Sequence, residues 1–144
     1  MDITKELLLE YRNKKQEIKE LEYRLNNRYK EESMLGNDVI FDYSKGYPMP
    51  QSVVGFDSKR YEYLQNRDRN KKAKLEKECR EMEDFVEEIE SSEIRRIFRL
   101  YFIEGEKKVM QQYVAEQMNM ERSTISKKID GYLKLSHKSH ESHL

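Results

Sequence analysis

Ile3, Leu7, Tyr11, Ile18, Leu21 and Leu25 fall three, four or seven residues apart, and no glycine or proline occurs before Gly36. Side chains at that spacing share one face of an α-helix, so one long amphipathic helix is expected from about residue 3 to 29, with Lys14 interrupting its stripe. The stripe is one side chain wide. Such a strip buries well only against another like it, as in a coiled coil. The same spacing returns between Ser58 and Glu90, in Tyr61, Leu64, Leu75, Cys79, Met82, Val86 and Ile89. Asp68 and Lys71 fall on that second seam, where they weaken the stripe and are placed to set its register. The two helices are therefore expected to pair antiparallel. Two stripes per chain also leave apolar surface for a second copy, which predicts a homodimer.

A chain of 144 residues with 36% apolar and 39% charged residues cannot build a thick core. The mean hydropathy of −1.06 says the same. Long helices burying narrow stripes suit that composition. Ten tyrosines, five phenylalanines and the sustained periodicity argue against disorder over most of the length. Cys79 is the one cysteine, which excludes an internal disulfide or a cysteine metal cluster and fits a reducing cytosol. The start, MDITKELLLEYRNKK, holds no apolar run long enough for a signal peptide or a membrane span. The expectation is a soluble, cytoplasmic protein with no membrane partner.

Between the stripes the character changes. SMLGNDVIFDYSKGYPMPQSVVGFD holds both prolines, Pro48 and Pro50, and three of the five glycines. It also carries Val39, Ile40, Phe41, Tyr43, Tyr47, Val53, Val54 and Phe56, which a flexible linker would not expose. Residues 34–57 are expected to form an ordered loop with a short β-like stretch, serving as a structural clasp or a docking surface. The second helix is polarised: Lys59, Arg60, Arg67, Arg69, Lys71, Lys72 and Lys74 crowd its first half, and eight carboxylates from Glu76 to Glu90 its second. This is either a solvated, ion-paired face or a basic field for phosphates joined to an acidic one for protein.

Ser91 and Ser92 offer a cap for a fresh helix, EIRRIFRLYFI, which Gly105 stops. The stretch VAEQMNMERSTISKKI then meets the demands of a helix-turn-helix. Ala115 is small where a second helix would cross. Asn119 tolerates the positive φ of a tight turn. Val114, Met118, Met120, Ile125 and Ile129 supply apolar anchors. Helical stepping from Ile125 and Ile129 leaves Arg122, Ser123, Thr124, Ser126, Lys127 and Lys128 on or near an outward side. Short hydroxyls and flexible cations of that kind suit base edges and phosphates. Arg122 is the candidate for guanine, since its planar fork matches two acceptors. Lys127, Lys128 and Lys134 are candidates for phosphate, and Glu121 for a helix cap or a cytosine amino group. The tail from Ser136, with His137, His140 and His143 three apart, is expected to fray rather than to hold metal.

RRIFRLYFIEG followed by QYVAEQMNMERSTISKKIDGYLKL resembles region 4 of bacterial sigma factors. LEYRLNNRYKEESMLGNDVIFDYSKGYPMPQSVVGFD resembles a family of phage proteins from Gram-positive bacteria grouped with the ArpU/RinA-type regulators of phage late transcription. The resemblance implies a sequence-specific DNA-binding activator of phage or prophage genes, with groove reading by residues 121 to 128. Met110 and Gln111 depart from it, standing where the sigma pattern has a hydroxyl cap and a tryptophan, and the connection EGEKKVMQQ is longer than the sigma version.

The expected architecture is thus all-α: a helical hairpin arm over residues 1–90, a helix-turn-helix head over 91–135 and a flexible tail over 136–144. The chain carries 28 basic and 28 acidic residues, yet DNA responds to local field rather than to net charge. Residues 91–144 hold ten Lys or Arg against seven Asp or Glu, a modest excess that calls for a second copy or host RNA polymerase as a partner in tight binding. No Gly-rich phosphate loop or convergent carboxylate pair is present, so neither catalysis nor a cofactor is expected. Two other accounts fit the same features: a DNA-recognition subunit of the phage terminase small-subunit kind, and a coiled-coil adaptor that binds protein only.

Overall fold

The first helix begins at a hydroxyl: the Thr4 side chain accepts the Leu7 N–H at 3.1 Å, satisfying a donor that a helix start leaves orphaned. The computed structural model describes residues 2–30, 41–42, 49–50 and 57–141. It is all-α. Helices α1 (Lys5–Leu9), α2 (Tyr11–Asn27), α3 (Ser58–Glu87), α4 (Ser92–Phe98), α5 (Gln111–Met118) and α6 (Arg122–Glu141) make up most of the described chain. A 3₁₀ turn, Arg28–Lys30, follows α2, and a π-helical turn, Arg99–Ile103, continues α4. Strands Phe41–Asp42 and Met49–Pro50 pair antiparallel, Phe41 opposite Pro50, which is the β-like stretch expected in the loop. The rest of that loop, residues 34–40, 43–48 and 51–56, lies outside the described residues.

The single helix expected over residues 3–29 is broken at Glu10. Its N–H turns back to the Leu7 carbonyl at 3.1 Å, while its own carbonyl starts α2 by accepting from Lys14 at 2.9 Å. Periodicity survives such a break because it costs one hydrogen bond and leaves the stripe in phase. At the other end, α6 runs past Ser136 to Glu141, where the sequence predicted fraying. No glycine or proline follows Gly131, so nothing in the backbone stops the ladder.

The chain divides into two compact units, Glu17–Leu75 and a second made of Met1–Gln16 with Glu76–Leu144. This division differs from the boundary expected between residues 90 and 91, and side-chain bonds join the two parts of the second unit. In the second unit Arg12 donates to the carbonyls of Tyr101 at 2.8 Å and Glu104 at 2.7 Å, closing the end of the π-helical turn. Lys5 pairs with Asp130 at 3.1 Å, Tyr11 donates to Glu83 at 3.2 Å, and Lys14 pairs with Glu78 at 2.5 Å. Leu8, Met82, Val86 and Ile89 are buried with Ile97, Phe98, Phe102, Ile125 and Ile129. Phe98 is the hub of this core, its ring 5.3 Å from both Phe102 and Tyr132 and 6.5 Å from Phe85. Apolar rings at these separations bury large areas and fix relative tilt.

In the Glu17–Leu75 unit, Glu17 meets Lys71 and Glu22 meets Lys72, while Gln65 donates to the Leu25 carbonyl at 3.1 Å. Ile18, Leu21, Leu64 and Leu75 are buried there, and so are Arg28, Gln65 and Asp68. Arg28 bonds Asp68 directly and reaches the Gln65 side-chain oxygen at 2.6 Å. Burial pushes the Asp68 carboxyl up, but hydrogen bonds and charge from Arg28 and Arg67 together outweigh it, and the group lies below the ordinary carboxylate range. The seam position that looked like a flaw is a closed ionic core.

Candidate nucleic-acid interface

Helix α5 ends because Asn119 adopts φ 54°, ψ 48°. Asn119 donates to Glu116 at 3.4 Å and Met120 to Ala115 at 2.9 Å, the paired bonds of a left-handed helix end. Asparagine bears this conformation at lower cost than other side chains because its amide stays compact. Two residues later the Glu121 carbonyl accepts from Thr124 at 3.0 Å and Ile125 at 3.1 Å, so Glu121 occupies the cap position of α6. The bend is held from within by Val114, Ala115, Ile125 and Ile129, all 0 or 1% exposed. Helix α6 packs against both α4 and α5.

The predicted site residues separate into three groups. Ser123, Lys127 and Lys134 are exposed and lie along one side of α6, opposite its buried stripe. Thr124 and Ser126 flank that side and are half-buried. Lys128 is half-buried too, its ammonium 2.6 Å from Glu93, so its charge is already engaged. Glu121 is exposed beside the turn.

Arg122 is exposed as expected, but it does not share the side of α6 that carries Lys127. Five residues at 3.6 per turn set it about 140° around α6 from Lys127. There it lines a cleft of about 630 Å³ together with Tyr101, Lys108, Met110, Gln111 and Gln112. Met110 caps α5 without a side-chain bond, as its departure from a hydroxyl foreshadowed.

Lys5 is a contributor that helical stepping could not reveal. Asp130 shares the exposed side of α6, and an unpaired carboxylate there would repel phosphate. Lys5 supplies its counter-charge from 125 residues away. Among the described residues, none of Arg122, Lys127 or Lys134 is paired with a carboxylate.

Among the described residues no group of three His, Cys, Asp or Glu could hold a metal ion, and no helix is long and apolar enough to cross a membrane. Of the tail histidines, His143 lies outside the described residues. Compared with known proteins, the chain matches no family model, no curated protein and no solved structure.

Proposed function

We propose that the chain is a sequence-specific DNA-binding regulator, an activator of phage or prophage genes, whose helix-turn-helix comprises α5, the Asn119 turn and α6. The observation that carries this reading is the left-handed residue at Asn119 followed by a helix whose far side is open and whose Asp130 carboxylate is paired with Lys5. A helix held at a fixed bend, with short hydroxyls and cations on its open side, has the form that enters a major groove. Ser123 would meet base edges and so would Lys127, a phosphate candidate by sequence that lies one turn further along the same open side, with Thr124, Ser126 and Glu121 beside them and Lys134 on a phosphate. On this reading no catalysis and no cofactor are involved, and the protein works in the cytoplasm of a bacterial host.

The Glu17–Leu75 unit is proposed as the arm of a helical hairpin, used for dimerisation and docking, host RNA polymerase included. Tyr23 at 69% and Tyr63 at 58% exposure support that role, since large aromatics left in water favour a partner. The likeness of the loop to the ArpU/RinA-type phage regulators agrees with both parts. A dimer doubles the modest basic excess of each chain, and affinity for DNA rises steeply with the number of phosphate contacts.

The test is selection of bound fragments from a genomic pool by the full chain, at about 50 and 200 mM salt. A shared sequence enriched at both concentrations is expected, and Lys127→Ala should abolish it. Retention of no fragment over background, with folded protein, refutes the proposal. A solution mass for a ring of many copies would also overturn it, in favour of DNA-packaging recognition.

A further inference from the structure

The cleft beside α6 has a chemistry of its own. Two cations, Lys108 and Arg122, line it, and no carboxylate does. Neither has a carboxylate partner among the described residues. Lys108 comes from the connection EGEKKVM, which runs from the Gly105 turn, φ 81°, to the start of α5. Arg12 holds the first end of that connection by its bonds to the carbonyls of Tyr101 and Glu104. Gln111 and Gln112, whose backbone N–H groups open α5 without a side-chain cap, complete the wall. Like charges brought together without a counter-charge repel each other, and an anion seated between them removes that repulsion.

We infer that Lys108 and Arg122 form a clamp for one backbone phosphate of duplex DNA, and that Arg122 is a positioning contact rather than a reader of guanine. The inference rests on the DNA-binding reading above and reassigns one residue within it. Its geometric basis is that Arg122 faces the cleft while Ser123, Lys127 and Lys134 share the open side of α6. A guanidinium turned about 100–140° from Ser123, Lys134 and Lys127 does not share their base-facing side. It can bind the strand that flanks the groove. The extended connection then has a purpose, since it carries the second cation to the clamp.

Phosphate contacts and base contacts fail differently. Anisotropy of the full-length protein would be measured on a random-sequence duplex and on a duplex carrying the enriched fragment. Lys108→Ala and Arg122→Ala should each weaken both duplexes by the same factor and lower the salt slope by about one. Arg122→Lys should retain most of the affinity, because a point charge serves a phosphate but not a bidentate base contact. Arg122→Ala that leaves the random duplex untouched, and instead relaxes preference at one base pair, overturns the clamp and restores Arg122 as a reader. Unchanged binding by both alanine variants overturns it as well. If the wild-type chain binds no duplex, the DNA reading itself fails. In that event amide shifts at Gln111 and Gln112 on titration with inorganic phosphate would assign the cleft to a free anion, overturning the duplex clamp.

Discussion

Replacing Asp68 by alanine tests the ionic core of the Glu17–Leu75 unit. Asp68 is 1% exposed and its partner Arg28 2%, so water cannot replace the lost carboxylate. Among the described residues, Arg28 would keep only the Gln65 oxygen at 2.6 Å as a neutral acceptor for a buried charge. Arg24, 3.7 Å away, and Arg67, at 3.0 Å, are 44% and 48% exposed, so both can turn to solvent at little cost. The loss is therefore set by Arg28 alone, and stranding a buried ion costs about 3–5 kcal/mol. For a chain of this size that lowers Tm by about 6–20 °C. Urea titration followed by circular dichroism reads the first figure and a thermal melt the second. Arg28→Met with Asp68→Leu should recover most of the loss, because the pair then leaves no orphan. The reasoning is refuted if Asp68→Ala costs under about 1 kcal/mol, as an exposed pair would, or if the double variant is no better than the single. Acid offers a second check. The folded Asp68 carboxyl lies below its unfolded value near 3.9, so its contribution is complete above that pH and lost as pH falls toward the folded value. Wild type should then lose more stability below about pH 4 than Asp68→Asn does.

Two further predictions concern the bend and its brace. Asn119→Val should lose about 1–2 kcal/mol and bring faster exchange of the Met120 amide, because a branched side chain opposes φ 54°; Asn119→Gly should be neutral within a few tenths. Equal harm from both would refute a conformational origin. Arg12→Ala should lose about 1.5–3 kcal/mol in urea titration through bonds from one guanidinium to three carbonyls, those of Leu100, Tyr101 and Glu104. Arg12→Lys should restore only part, since an ammonium cannot span that fan.

Much of the helical content was legible because a buried stripe imposes its period whatever it packs against. Ile18, Leu21, Leu75, Cys79, Met82, Val86 and Ile89 are buried as their spacing predicts. Ser91 caps its helix through Ile94 at 3.2 Å, and Asn119 takes the left-handed turn, since both are local backbone chemistry. What escaped was whatever depended on distant partners. Arg12 bonds to carbonyls, which every residue possesses, so no side-chain pattern announces it. Asp68 stood out on the seam, but nothing marked Arg28 as the residue that would follow it inside. The cleft that Arg122 lines escaped for another reason. Counting around one helix locates its faces, yet a first-turn residue projects past the helix end toward whatever chain precedes it, here the Lys108 connection.

The bond between Lys5 and Asp130 spans 125 residues, and those of Arg12 to Glu104 span 92. During synthesis Lys5 and Arg12 therefore wait, their partners unmade, until residues 130 and 104 have left the ribosome. Ordering of that unit is a late event, slowed by the entropy of joining its two ends. A fragment starting at residue 91 would lack the brace that closes the π-helical turn, and should emerge loosened rather than as a free-standing module.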